Sequence, residues 1–396
     1  MNRSLPAVAH LVTPYLFTTG PWIYAQLLHN PRYRSVVMTQ QTENLDHFPH
    51  ESVHDFSHAR GGISALSFLV SKYLLGRYPA GTYREAARRE VIVLCHAHTG
   101  WEGARTVHLR RAMGVPHITS FYGRDASVLP RKAYWRGLYK VLFREGDLFL
   151  AEGSHMGEVL AGIGCPSEKI RIVHLGIDLS RLPFAVRRPS REGTIVGLIA
   201  ASLREKKGIP YALDAVARVV SRWPGLRIRI VGDGPMRRQI EERIRRPDLA
   251  GRVDLLGYLD YASYVEELVG AHFLMAPSLT AKDGDCEGGA PVCLIDAQAA
   301  GLPILSTTHC DIPEVTVPGR SSLLAGERDV DQLAKNLELL LANPQRWEEM
   351  GKAGRAHVEA EFDVHRQAGR MAEIYDEVLS GTGEAIASSE DRRTTV

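Results

Sequence analysis

The chain has 396 residues, enough for two domains of ordinary size, and its 44% apolar content can fill a core in each. Forty-eight basic against 46 acidic side chains leave a net charge of +2, and no apolar run approaches the ~18 to 20 residues of a bilayer span. A helical integral membrane protein, a collagen-like chain and a mostly disordered one are therefore excluded.

The N-terminal stretch carries one cation, and His10 interrupts its apolar run before a signal-peptide core forms, so a cytoplasmic location is expected. The five cysteines are odd in number and contain no Cys-x-x-Cys pair, which points to free thiols. Charge is uneven along the chain: residues 1–185 sum to +7 and residues 186–396 to −5. Twelve of the sixteen histidines fall in the first part, whose charge is expected to rise as pH falls. A basic half suits an anionic partner such as a lipid headgroup or a phosphorylated substrate, and peripheral contact with the inner face of a membrane is one expectation.

Short β-rich runs alternate with amphipathic ones, the pattern of parallel strands joined by crossover helices. In chain order the expected strands are Ala7 to Thr13, Ser35 to Thr39, Val91 to Cys95, Pro116 to Phe121, Leu148 to Ala151 and Ile170 to His174. A second series follows at Thr194 to Ala200, Arg227 to Val231, Val253 to Leu255, Phe273 to Ala276 and Pro303 to Ser306. The segment Asp178 to Gly193, rich in proline and arginine, is expected to be the hinge. Two such α/β units in tandem place a cleft between the carboxyl ends of two sheets. Helices are expected over 329–342, 344–362 and 364–379, and a disordered tail over 381–396.

Several loops after strands carry candidate chemistry. Gly20, after the first strand, lacks a side chain and allows close approach to phosphate. His96-Ala-His98 ends one strand; the two rings are expected on opposite faces, which disfavours a shared metal, so no metal site is expected and His98 is taken to line the cleft. Ser120-Phe-Tyr-Gly-Arg-Asp125 ends another and offers Tyr122 and Asp125. The run Arg131 to Arg144 mixes five cations with four aromatics at helical spacing, as a membrane-surface helix or as a helix with a solvated basic face.

In the second series, Glu205-Lys-Lys-Gly208 puts Lys206 and Lys207 before a helix start, where ammonium groups suit a diphosphate whose charge grows as its bond breaks. Gly232-Asp-Gly234 is a strand-to-helix turn that fails as a dinucleotide fingerprint, because the third glycine position is Arg237. The stretch Asp283 to Pro303 carries Glu287 in a glycine-rich loop and Asp296 in an apolar helix. Amides of that loop and the two carboxylates can hold sugar hydroxyls. No helix-turn-helix, ribonucleoprotein or zinc-finger pattern occurs, so no nucleic-acid partner is expected.

Taken in order, Thr19-Gly20, His96-Ala-His98, Phe121-Tyr-Gly-Arg-Asp125, Val173-His-Leu-Gly-Ile-Asp178, Glu205-Lys-Lys-Gly208, Val231-Gly-Asp-Gly-Pro235, Glu287-Gly-Gly-Ala-Pro291 and Asp311-Ile-Pro-Glu314 resemble the retaining glycosyltransferases of family 4. Among these the chain is most similar to bacterial exopolysaccharide and colanic-acid-type transferases. The resemblance implies the GT-B architecture, two Rossmann-like parallel-sheet domains facing a cleft. It places an acceptor-binding domain at 1–180, a nucleotide-sugar-binding domain at 181–363, and a helix at 364–380 that crosses back to the first domain.

It further implies transfer of a hexosyl unit, with retention, from a UDP- or GDP-linked sugar to a hydroxyl of a glycan or lipid-linked acceptor in polysaccharide biosynthesis. The nucleotide-diphosphate sugar is a co-substrate, and no cofactor or metal is required. Lys207, Glu287 and His98 are the implied catalytic set. Gly20, Ser202, Lys206, Gly234, Gly288, Gly289, Ala290, Pro291, Val292 and Asp296 are the implied donor-binding set, with Tyr122 and Asp125 toward the acceptor. The chain departs from the family pattern at Ser202, at Tyr122 where a histidine is usual, and at Asp296, one residue further from Glu287 and one methylene shorter than its usual glutamate. Two alternatives stay open: a partner subunit that binds nucleotide sugar with little turnover, and an epimerase or phosphorylase on the same fold.

Overall fold

The computed structural model describes residues 4–17, 20–57, 69–189 and 193–391, with side chains through residue 381. The expected phosphate loop at Thr18-Thr19 therefore lies outside the described residues, apart from Gly20. Two compact units form: residues 1–176 with 364–396, and residues 177–363.

The first unit is built on a seven-stranded parallel sheet: β1 (Ala7–Leu11), β2 (Arg34–Thr39), β3 (Val53–Asp55), β4 (Ile92–His98), β5 (His117–Ser120), β6 (Leu148–Ala151) and β7 (Ile170–Ile172). Their order across the sheet is β3-β2-β1-β4-β5-β6-β7. Strands buried on both faces read as nearly continuous apolar runs. Thus Ala7, Ala9 and Leu11 pack to one side with Cys95 and Ala97, while Val8 turns to the other with Leu94, Ile118 and Leu150. That second side is covered by the helix Val364–Asp391, through Met371, Ala372, Tyr375 and Val378.

The second unit carries a six-stranded parallel sheet: β8 (Ile195–Ala200), β9 (Leu226–Val231), β10 (Val253–Gly257), β11 (Phe273–Ala276), β12 (Ile304–Thr307) and β13 (Ser322–Ala325), in the order β10-β9-β8-β11-β12-β13. Helices Ile209–Val219 and Val330–Ala342 cover one face with Leu213, Val216, Leu333 and Leu337. The helix Val292–Ala299 covers the other with Leu294 and Ile295. In each sheet the strand order reverses once, between β1 and β4 and between β8 and β11. Open α/β sheets bind ligands outside the carboxyl ends of the strands at such a point.

Three expectations are corrected. The break between units falls at Gly176/Ile177, and the segment expected as the hinge belongs to the second unit. Leu182 is buried in that unit's core, and the buried Arg187 donates to the carbonyls of Val269 and Ala300. The final helix runs to Asp391, so residues 381–391, expected as part of a tail, continue it; a stretch without a core pattern still completes helical hydrogen bonds when a packed helix precedes it. Finally, β4 extends to His98 where the sequence suggested an end at Cys95, so both histidines sit inside a strand.

Candidate functional site

The loops after β8, β11 and β12 converge in the second unit. β8 leaves into a short 3-10 turn, Glu205–Lys207, closed by Gly208 at φ +63°, before the helix at Ile209. A side chain at Gly208 would meet the Pro277 carbonyl oxygen at 1.9 Å, so the turn lies directly on the backbone that follows β11. This close approach sets Lys207 opposite the glycine-rich loop. Its Nζ donates to Glu287 Oε2 at 2.8 Å, while Ser278 Oγ donates to Glu287 Oε1 at 2.7 Å. Lys206 Nζ donates to the Cys286 carbonyl at 2.9 Å and stands 3.3 Å from Asp285 Oδ1 and 4.0 Å from Glu287 Oε2. Below the loop, the Glu287 amide donates to His309 Nε2 (3.2 Å), and His309 Nδ1 is 2.6 Å from Glu327 Oε1.

Glu287 is buried and Lys207 is partly buried beside it. Burial pushes the Glu287 pKa up, and Lys207, then Lys206, more than offset it, so the carboxyl is held below its ordinary value. Burial alone would lower the Lys207 pKa, and Glu287 reverses that to leave the ammonium above its ordinary value. The pair therefore stays ionised through the neutral range. Two ammonium groups at a sheet's switch point can receive an anion, and a fixed carboxylate can accept hydrogen bonds from hydroxyls.

Asp296 behaves differently. It lies in the first turns of the helix Val292–Ala299, where Tyr264 Oη donates to its Oδ2 at 3.2 Å. Burial raises its pKa to about 7, outweighing the Tyr264 hydrogen bond and the charge of Arg181. In the unfolded chain Asp296 loses its proton near 3.8, and in the folded chain it keeps it to about 7, so stability falls as pH rises across that window. Asp296→Asn is expected to remove this dependence. Thermal unfolding of the variant should match the wild type near pH 4 and exceed it by a few kcal/mol near pH 8. Equal differences at both pH values would refute the assignment.

Gly288, at φ +81°, starts the turn into the Val292 helix, and Gly289 O accepts from the Asp311 amide, which ties Gly288 to Val292 onto the loop after β12. Pro291 caps that helix without a side-chain hydrogen bond. Ser202 lies just past β8, where its carbonyl accepts from the Arg204 amide. Gly234 is accounted for by packing: a Cβ there would meet the Leu203 backbone at 2.8 to 3.1 Å, and the next helix starts only at Arg237.

In the first unit, Gly20 caps the helix Pro21–His29. His98, Tyr122 and Asp125 lie past the switch point at the carboxyl ends of β4 and β5. The expectation that His96 and His98 face opposite sides is wrong, because residues two apart on a strand share a face. Their rings stack at 4.4 Å, and His10 of β1 joins them. Nitrogen atoms of the three lie within 4.8 Å of one another, the spacing of metal ligands.

Five of their six ring nitrogens have hydrogen-bond partners. His10 Nδ1 meets His98 Nε2 at 2.9 Å, and His98 Nδ1 meets Tyr122 Oη at 2.7 Å. His96 lies 2.7 Å from both Tyr375 Oη and Ser120 Oγ. Burial lowers the pKa values of all three, His96 to about 3 and His10 and His98 well below the ordinary imidazole value. With His50, His108 and His117 lowered as well, the expected rise in charge at mildly acidic pH loses six of its twelve groups. Asp125 accepts from the amides of Gly100 (2.8 Å), Tyr122 (3.1 Å) and Gly123 (2.9 Å), so its carboxylate locks two loops together.

Sequence reading missed Ser278 and Tyr264, which donate to the Glu287 and Asp296 carboxylates, His309 and Glu327, which hold the Glu287 backbone, and Glu102, a buried carboxyl raised to about 7 by burial. Ser278 and His309 follow strand ends directly, a signal that was present in the sequence.

The chain matches two family models, "Glycosyltransferase Family 4" over residues 24–181 and "Glycosyl transferases group 1" over residues 194–343. It is 33% identical over 282 residues to the amylovoran biosynthesis glycosyltransferase AmsK of Erwinia amylovora, covering 70% of this chain and 69% of that one. It is 34% identical over 245 residues to WcaL of Escherichia coli K12, named as a colanic acid biosynthesis glycosyltransferase; the match spans 61% of this chain and 59% of WcaL. Its fold is shared with Anabaena HepE in complex with UDP, with a TM-score of 0.74 and 16% identity over 94% of this chain and all of that one. With its two parallel-sheet units of Rossmann type and these matches across both, the chain belongs to glycosyltransferase family 4, of the GT-B fold.

Proposed function

We propose that this protein is a retaining hexosyltransferase that moves a sugar from a UDP- or GDP-linked donor to a hydroxyl of a glycan or lipid-linked acceptor in exopolysaccharide biosynthesis. The observation that carries the reading is the ionised Lys207–Glu287 pair, with Ser278 and Lys206, outside the carboxyl ends of β8 and β11. The ammonium groups would take the donor's diphosphate, and Glu287 would accept hydrogen bonds from the hexose. Asp296 would meet the ribose, and its proton is set by burial rather than by a charged partner. The names of AmsK and WcaL support the polysaccharide role, and HepE, solved with UDP, supports a nucleotide donor.

In the proposed step the donor's glycosidic bond breaks as the acceptor hydroxyl forms a new one on the same face. The departing diphosphate takes the acceptor proton, so no enzymic nucleophile enters. Lys207 and the loop amides would stabilise the growing charge, which requires no metal.

The test is incubation of the purified protein with UDP-, GDP- and ADP-sugars, with EDTA present, reading nucleotide diphosphate release and the anomeric configuration of product. Release from one donor in EDTA with retained configuration is expected. Inverted product, or release that returns only with a divalent ion, would overturn the corresponding part.

A further inference from the structure

The segment Val70–Leu74, one wide turn of π-type helix in the first unit, buries none of its side chains. Leu69, Val70, Tyr73, Leu74 and Leu75 are 44% to 77% exposed, a contiguous apolar surface in a chain whose other apolar residues are mostly buried. The backbone beneath them is held by its own bonds. Leu75 N donates to Val70 O at 3.2 Å, Arg77 N to Ser71 O at 3.0 Å, and Ser71 Oγ to Arg77 O at 2.8 Å.

Gly76 seats this turn on the helix Ala133–Glu145, where a Cβ would meet Leu138 at 2.5 Å, and the exposed Tyr134 lies alongside. Between the two elements opens a cavity of about 530 Å³, walled by Leu75, Leu138, Val141 and Val107, with Arg77 and Arg111 among its lining residues. Residues 69–79 and 131–144 together hold seven lysines and arginines and no acidic residue. Glu145, the acid lining the cavity, is paired with Arg111 (3.5 Å) and Arg144 (3.0 Å).

We propose that this face docks the protein on an anionic lipid bilayer, with Leu74 and Leu75 in the headgroup region and the flanking cations of residues 131–144 on lipid phosphates. The charge settles the occupant. Apolar side chains on segments whose own charges are all positive match an interface of acyl chains under negative headgroups. Among the described residues no helix is long and apolar enough to cross a membrane, so the contact is peripheral. The inference stands apart from the transferase reading, since none of these residues belongs to the Lys207–Glu287 site.

Co-sedimentation of the full chain with vesicles of phosphatidylcholine, with and without phosphatidylglycerol, tests it. Binding is expected to the mixed vesicles, weakening as salt screens the charge. Leu74→Asp, at an exposed position where folding is unaffected, should weaken binding at least tenfold, and the double variant Lys132→Glu with Arg136→Glu should erase the preference for phosphatidylglycerol. Thermal unfolding of both variants should match the wild type. No binding to mixed vesicles at low salt would overturn the proposal, as would equal binding to both lipids or a Leu74→Asp variant that binds as the wild type does.

Discussion

Lys207→Ala should lower nucleotide diphosphate release from the preferred donor by roughly 10² to 10³-fold, the loss that follows removal of one preorganised partner for a developing anion. The same change has a second, separable effect on the folded protein. Glu287 keeps its charge while buried chiefly because Lys207 lies 2.8 Å away; Lys206 stands 4.0 Å off and cannot replace it. In the wild type the depressed Glu287 pKa stabilises the fold above its ordinary value of 4.5, and this contribution disappears as pH falls through the folded-state pKa. Without Lys207 the carboxyl moves toward the higher value burial dictates, so the acid limb of the stability profile should shift to higher pH. Lys207→Ala with Glu287→Gln should restore the acid limb without restoring activity. If the single variant retained more than about a tenth of wild-type release, a margin well inside the expected loss, Lys207 would not be the group on the diphosphate.

Gly208→Ala is expected to cost at least about 3 kcal/mol of stability. Two causes add. The backbone sits at φ +63°, where an L side chain costs roughly 1 to 2 kcal/mol, and the new Cβ would stand 1.9 Å from the Pro277 carbonyl oxygen, which is backbone and cannot rotate away. Gly251→Ala separates the two: Gly251 has φ +70° and open space around its Cβ, so it should cost only the first amount. Urea unfolding of both variants reads the difference. Costs within about 0.5 kcal/mol of one another, the ordinary scatter of surface substitutions, would refute the steric argument.

How far these features were legible in the sequence follows from where each signal resides. Leu148 to Ala151 and Phe273 to Ala276 were found at their observed bounds, because a strand buried on both faces is a short apolar run between turns. β3, with the sequence Val-His-Asp, and β13 were missed; both are edge strands, with one neighbour each and no long apolar run to announce them. Lys207, Glu287 and Asp296 could be picked out from loop chemistry. The pairing of Lys207 with Glu287 could not, since it depends on Gly208 lying against Pro277, a contact between segments about seventy residues apart. His10 was invisible for the same reason: only the β1–β4 pairing brings it beside His96 and His98. The turn Val70–Leu74, Val-Ser-Lys-Tyr-Leu, carries no motif that would single it out in sequence, and only the fold shows that nothing in it is buried.

The first unit is interrupted in the chain, while the second is continuous. During synthesis, residues 177–363 can therefore bury their own core while one side of the earlier sheet still waits. Val8, Leu94, Ile118 and Leu150 gain their cover only when Met371, Ala372, Tyr375 and Val378 have left the ribosome. At ~5 to 20 residues per second, the roughly two hundred intervening residues take about ten to forty seconds to make. For that interval the nascent chain carries an apolar sheet face in need of protection, and the part made first is the part completed last.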